Sequence, residues 1–418
     1  MNLHSIFSAI NGSRFSKWLI SSYIFDWICI LIPGALGRIF KTVEPNKHAF
    51  YLRDPNISYP HVSETVPPVV LILVSLLAPA AIIALGSLLF IPGRTAEKHA
   101  PSALVWRRKL WEWNAGWMGL GVAYAGTYAA TEGLKTMFGK PRPDMLARCK
   151  PDVDDIATYI IGGLAESLRD APALVSWKIC TAEGKALRDG FVSFPSGHAS
   201  MSFAGLTYLT LWLCAKLSIS FPYLHPRTFS TDRRQTAFVT GTTHPTIDDP
   251  YTGPQSDPSS SSTSLLPLRD QNAAPPAYLL LLAAFPICTA TYIASSRWWD
   301  NRHFGFDILF GSALGIFFAY LGFRLYHLPL GAGAGWAWGA RSRDKAFYAG
   351  VGLASYATVM DGSLSSSGAA AASGRYSSGP PHNNKTNGLV VSRAGNDAGP
   401  ADEWAHDRPS SSRGVAEV

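Results

Sequence analysis

Six stretches of this chain come close to the roughly 20 largely apolar residues that a helix needs to cross a bilayer. They constrain its fold more than any other feature. They lie at about 18–39, 66–91, 111–134, 198–217, 277–295 and 304–326. The second is the cleanest. The first encloses Asp26, and the third is rich in Gly and Ala, as suits a helix packed closely on its neighbours. None has the basic, apolar and small-residue order of a cleaved leader, so the first run reads as an anchor. The expected fold class is all-α: an integral membrane six-helix bundle.

Composition agrees. Only 16% of the 418 residues are charged, against about 25% in ordinary soluble domains. The hydrophobic share of 47% excludes wholesale disorder. The net charge of +7 raises a nucleic-acid reading. It is set aside, because the basic residues sit as short clusters between apolar runs, such as Arg107-Arg108-Lys109, and no nucleic-acid-binding signature accompanies them.

Lys/Arg asymmetry orients the bundle. Arg94, Lys98, Arg107, Arg108 and Lys109 lie between runs two and three, opposed only by Glu97, which makes that segment cytoplasmic. With six spans both termini then share that side, and Arg14, Lys17, Arg341, Arg343 and Lys345 agree with it. The connections after runs one, three and five face the lumen or exterior; which membrane is involved is left open. The expected organisation is a cytoplasmic N-terminus (1–17), a six-span domain (18–326) and a tail (327–418). The Ser/Thr/Pro/Asp-rich insert 218–275 and the tail read as disordered cytoplasmic segments.

Five cysteines lack metal-ligand spacing. Cys29, Cys214 and Cys288 lie in apolar runs, where a buried thiol is expected. Cys149 and Cys180 share one non-cytoplasmic polar loop and can pair if that compartment is oxidising.

Under this topology three polar clusters fall on the same membrane face. Run three leads into Lys135-Thr136-Met137-Phe138-Gly139-Lys140-Pro141-Arg142-Pro143, and Pro195-Ser196-Gly197-His198 opens run four. Ser296-Arg297 ends run five, and His303 and Asp307 open run six. Lys135, Arg142 and Arg297 offer positive charge, and the arginine fork matches phosphate oxygens. Ser196 and the Gly197 amide offer hydrogen bonds to an oxyanion. His303 and Asp307 are four apart, so a shared helix face lets the carboxylate hold one ring nitrogen and leave the other as nucleophile. His198 is placed to act as a general acid. Three cations and two imidazoles without a carboxylate cluster suit phosphoryl transfer by electrostatic clamping.

These segments resemble the type 2 phosphatidic acid phosphatase, or lipid phosphate phosphatase, superfamily. Its signature is K-x6-R-P, then P-S-G-H, then S-R-x5-H-x3-D, and all spacings match over about residues 18–326. The resemblance implies that His303 attacks phosphorus to form a phosphohistidine, with Asp307 orienting the ring. His198 would protonate the departing lipid oxygen and then help to activate water. Lys135, Arg142, Ser196, Gly197 and Arg297 would hold the phosphoryl oxygens. It implies no metal and no other cofactor, and as substrates phosphatidic acid, lysophosphatidic acid and diacylglycerol pyrophosphate. One departure stands out: many members carry a second histidine after His303, where this chain has Phe304-Gly305-Phe306.

Two rival readings share the pattern. Vanadium-dependent haloperoxidases resemble it but are soluble; a non-catalytic lipid-binding protein of the same fold would be expected to have lost motif residues. Outside the motifs, Lys140, Arg148 and Lys150 read as solvated surface charges. Asp26 is expected to pair with a neighbouring helix, and Glu132 is a candidate to orient Lys135.

Overall fold

The computed structural model describes residues 16–93, 101–163, 173–217, 219, 276–330, 336–347 and 356. Apart from Ile219, the 218–275 insert lies outside them, as does most of the tail.

Among the described residues every apolar run becomes a helix: α1 (Lys17–Phe40), α2 (Pro68–Phe90), α3 (Ser102–Phe138), α4 (Gly197–Lys216), α5 (Ala277–Trp299) and α6 (Gly305–Tyr326). The chain is mostly helical. Pro68 starts α2, where its missing N–H costs nothing, and the helix carries a π-type turn at Leu73–Leu77. Four helices, α1, α2, α5 and α6, are long and apolar enough to cross a membrane. The other two are more polar, for a packing reason. α4 is enclosed by its neighbours and buries Ser200, Ser202 and Thr207, while α3 buries Glu112, Thr127, Thr131 and Glu132. A helix surrounded by protein need not present a surface suited to lipid.

Small residues bring the helices together, as expected where apolar burial against lipid gains little. A Cβ on Gly311 of α6 would stand 2.7 Å from the Ser196 carbonyl, and one on Gly315 would collide with that of Ser200. Hydrogen bonds between α3 and α4 add to this: Thr131 to Ser200 (2.8 Å), and the Tyr208 hydroxyl to the Gly116 carbonyl (2.9 Å). Phe323, Tyr208, Ile83 and Leu120 fill the core between them.

The loop after α3 carries structure that the apolar pattern does not announce. Phe50–Tyr51 (β1), Ile160–Gly162 (β2) and Leu174–Val175 (β3) form an antiparallel sheet in the order β1-β3-β2, which ties the loop after α1 to the loop after α3. A disulfide joins Cys149 to Cys180 beneath it, beside buried Met145 and Ile179. Cys214 is buried, but Cys29 and Cys288 face outward from the bundle, contrary to the reading of all three as buried thiols.

At the opposite end of the bundle, part of the stretch expected to be disordered is packed. The Ala337 amide donates to Glu112, Trp111 Nε1 donates to the Trp338 carbonyl, and Arg341 pairs with Asp26. Asp26 thus finds its partner in the segment after α6, and the folded part of the chain extends past residue 326.

Candidate active site

Each predicted cluster sits at a helix end, because each helix stops or starts there for a local reason. α3 ends on Gly139 in the left-handed conformation (φ 55°). Lys135 thereby occupies its last turn, and the Lys140–Pro143 segment emerges beside the start of α4. The Arg142 amide donates to Gly190 (2.8 Å) and the Ser193 amide to Lys140 (3.0 Å), so these two segments run together. Ser196 caps α4, its hydroxyl accepting from the Ala199 amide (3.4 Å), and its own amide donates to the Asp307 carbonyl (3.0 Å). α5 closes with Ser296 and Arg297, and α6 opens after Phe304 with Asp307 in its first turn.

Lys135 is held by Glu132 at 2.6 Å, and a Cβ on Gly197 would stand 2.8 Å from its ammonium. Arg297 is only 1% exposed. It faces Asp300 (3.3 Å), Glu64 (3.5 Å) and the Val66 carbonyl (3.5 Å). Asp300 is fixed in turn by the Thr65 amide (2.9 Å) and hydroxyl (2.5 Å). The Val66 carbonyl also accepts from His198 Nε2 (3.0 Å). Residues 64–66, just before α2, therefore clasp both Arg297 and His198. Sequence reasoning missed them; the nearest signal was Asp300, one helical turn after Arg297.

His303 is buried, and its Nδ1 donates to the Ser193 carbonyl at 2.6 Å. Burial, then the charges of Arg142, Arg297 and Lys135, hold its pKa well below the usual imidazole range. His198 lies within reach of the same three charges. Burial, with Arg148 beside it, lowers the Arg142 pKa to about 10, which leaves the guanidinium charged at neutral pH. Its Nε has no partner among the described residues.

Two expectations are corrected here. Asp307 does not hold the His303 ring. His303 precedes α6 rather than sharing its face, and Asp307, at the helix start, turns back to accept from the Phe304 amide (3.2 Å) as a capping carboxylate. Its remaining contacts are the Ser193 hydroxyl (2.6 Å) and Lys140 Nζ (2.7 Å). Lys140 and Arg148 are not solvated surface charges either. Lys140 pairs with buried Asp307, and Arg148 pairs with buried Asp144 (2.9 Å), which also meets His61 (2.7 Å). Burial pushes the Asp144 carboxyl pKa up, but the Arg148 and His61 hydrogen bonds and neighbouring charges leave it below the usual value. Lys150 is exposed, as read.

A cavity of about 710 Å³ reaches this cluster. Its walls are apolar side chains of α1, α2 and α3, among them Ile30, Leu71 and Tyr124, and its polar part carries Glu132, Lys135, Gly197 and His198.

Residues 116–329, just over half of the chain, match the PAP2 superfamily. The chain belongs to the PAP2 superfamily. Diacylglycerol pyrophosphate phosphatase 1 of Saccharomyces cerevisiae is 26% identical over 318 residues, covering 75% of this PAP2 chain and 82% of the yeast protein. A probable diacylglycerol pyrophosphate phosphatase 1 of Schizosaccharomyces pombe is 30% identical, covering 47% of this chain and 48% of its own. A probable lipid phosphate phosphatase 4 of Arabidopsis thaliana is 24% identical, covering 48% and 56%. No solved structure matches the chain.

Proposed function

We propose that this PAP2 superfamily member is an integral membrane lipid phosphatase acting on phosphatidic acid, lysophosphatidic acid and diacylglycerol pyrophosphate. The observation that carries this reading is the placement of His303 and His198 under the charges of the same three cations, Lys135, Arg142 and Arg297. The apolar cavity ending at Lys135, Gly197 and His198 supports a lipid substrate, with acyl chains along α1–α3 and phosphate at the polar end. The names of the relatives agree with the phosphatase chemistry.

The hydrogen bonds support the following mechanism. A carbonyl only accepts, so the His303 proton sits on Nδ1 toward Ser193 and the Nε2 lone pair is the nucleophile. Nε2 attacks phosphorus, and the bond from phosphorus to the lipid oxygen breaks. His198, whose Nε2–H is committed to the Val66 carbonyl, enters this step as the imidazolium, gives the departing oxygen the proton on its other nitrogen and is left as a neutral base. The same base then takes a proton from water, which attacks phosphorus, breaks the P–N bond and releases inorganic phosphate. Lys135, Arg142 and Arg297, with Ser196 and the Gly197 amide, neutralise the charge that builds on the phosphoryl oxygens.

In this reading all six helices span the membrane, the site faces the lumen or exterior, and no metal takes part. The disulfide in the loop after α3 supports that sidedness, since such bonds persist in oxidising compartments. The test is release of phosphate from labelled phosphatidic acid by purified full-length protein in detergent with excess EDTA. Wild type is expected to be active and His303→Ala to lose about 1,000-fold or more in kcat. Equal activity in the two would remove His303 as nucleophile. A cysteine placed in the 135–197 loop is expected to react with an impermeant reagent from the non-cytoplasmic side only; labelling from the cytoplasm alone would overturn the topology.

A further inference from the structure

Ser193 lies outside the three motif segments, yet it is fully buried between Asp307 and His303, and each of its polar atoms is engaged. Its amide donates to the Lys140 carbonyl (3.0 Å), its hydroxyl donates to Asp307 Oδ2 (2.6 Å) and its carbonyl accepts from His303 Nδ1 (2.6 Å). The other Asp307 oxygen takes Lys140 Nζ at 2.7 Å. The hydrogen-bonded link from the carboxylate to the histidine therefore runs through Ser193.

We propose that Ser193 is a positioning residue that sets the ring orientation and tautomer of His303, with Lys140 anchoring it through Asp307. This rests on the phosphatase reading and deepens it.

The physical argument has two parts. Orientation comes from the carbonyl: it can only accept, so it fixes the proton on Nδ1, and the Ser193 hydroxyl bond to Asp307 keeps that carbonyl in place. Charge comes from Lys140. An unneutralised buried carboxylate this close would favour the imidazolium and remove the nucleophilic lone pair. Lys140 pairs with Asp307 at 2.7 Å and offsets its charge, while Arg142 in the loop after α3, Arg297 at the end of α5 and Lys135 at the end of α3 are the charges that act on the ring. Arg302, next along the chain, is itself close to Glu64 and Asp144.

The experiment measures kcat, KM and kcat/KM against pH with phosphatidic acid for wild type, Ser193→Ala, Lys140→Met and Lys140→Arg in detergent. Ser193→Ala keeps the carbonyl but frees it from Asp307, so kcat is expected to fall about 10- to 100-fold, the range typical for partners that orient a ligating or reacting histidine. Its KM is expected to stay within about twofold, since binding made equally in ground and transition states is untouched. Lys140→Met is expected to move the acidic limb of the profile upward by about half a unit to one unit, because loss of a nearby cation raises an imidazole pKa. Lys140→Arg should restore the wild-type limb and most of kcat. Using one substrate throughout cancels the titration of its own phosphate. Unchanged kcat in Ser193→Ala, or an unmoved limb in Lys140→Met, overturns the proposal. If Lys140→Met does not fold, the Ser193→Ala result decides alone. A wild type that releases no phosphate would instead defeat the phosphatase reading, so the two failures are distinct.

Discussion

Gly197 leaves the space that the Lys135 ammonium fills: a Cβ at residue 197 would stand 2.8 Å from Nζ. The lysine is the far end of a flexible chain and can move aside, so Gly197→Ala is expected to cost little stability. It would displace a cation that the proposed function assigns to phosphate binding, and a shift of about 1 Å is enough to lose about 100-fold in rate. Thermal melting and kcat/KM measured on the same preparation check both halves. A large fall in melting temperature with normal activity would contradict this account.

Glu112 is wholly buried at the end of the bundle away from the site, where it meets Lys216, Arg108 and the Ala337 amide. Truncation leaves two cations without their carboxylate. Glu112→Ala is therefore expected to destabilise the protein by about 3 kcal/mol or more. Specific activity of the molecules that remain folded should be close to normal, because nothing in this cluster touches the site. Denaturation in detergent, read alongside activity, separates the two effects.

Acid should destabilise the protein through His327. Burial, then the Lys216 charge, with Arg108 adding a little and Glu112 opposing, pushes this histidine down to about 3. The unfolded chain takes up a proton near pH 6.5 while the folded one resists it, so the contribution is complete above about 6.5. It is lost as pH falls toward the folded value, at about 1.4 kcal/mol per unit. His303 acts in the same direction. His327→Phe, which keeps the stacking on Phe323 (ring centroids 4.9 Å apart), is expected to flatten the fall in melting temperature between pH 7 and 5. An equally steep fall in the variant would remove His327 as the cause.

The Cys149–Cys180 bond closes a separation of 31 residues within the loop that carries Arg142 and leads to Ser193. Cys180→Ser is expected to cost about 2–4 kcal/mol and to lower activity by loosening that loop. Gel mobility with and without reductant shows whether the bond is present in the purified protein. Melting of the variant gives its contribution.

Much of the architecture was legible from residue patterns. The six apolar runs coincide with six helices to within a few residues at most ends, the exception being α3, which continues on both sides of its apolar part as far as Ser102 and Phe138. The helix-end clusters were legible too, since the apolar runs stop or start beside Lys135, His198, Arg297 and His303. What escaped were partners distant in sequence. Thr65 meets Asp300, Val66 meets His198, and Lys140 meets Asp307 across 167 residues. No periodicity encodes such pairs, because they form only when separate helix ends arrive at one depth.

His303 and Asp307 show the division most clearly. Sequence alone determined that an imidazole and a carboxylate stand at the start of one helix beside two basic segments, because hydropathy places helix ends and spacing places residues on them. Only the tertiary structure decided what they touch. The helix begins after His303, so the carboxylate turns back to cap it and to meet Lys140, while the ring turns to the Ser193 carbonyl. Hydrogen bonds act over about 3 Å, and that scale is set by how helix ends pack rather than by the order of residues along the chain.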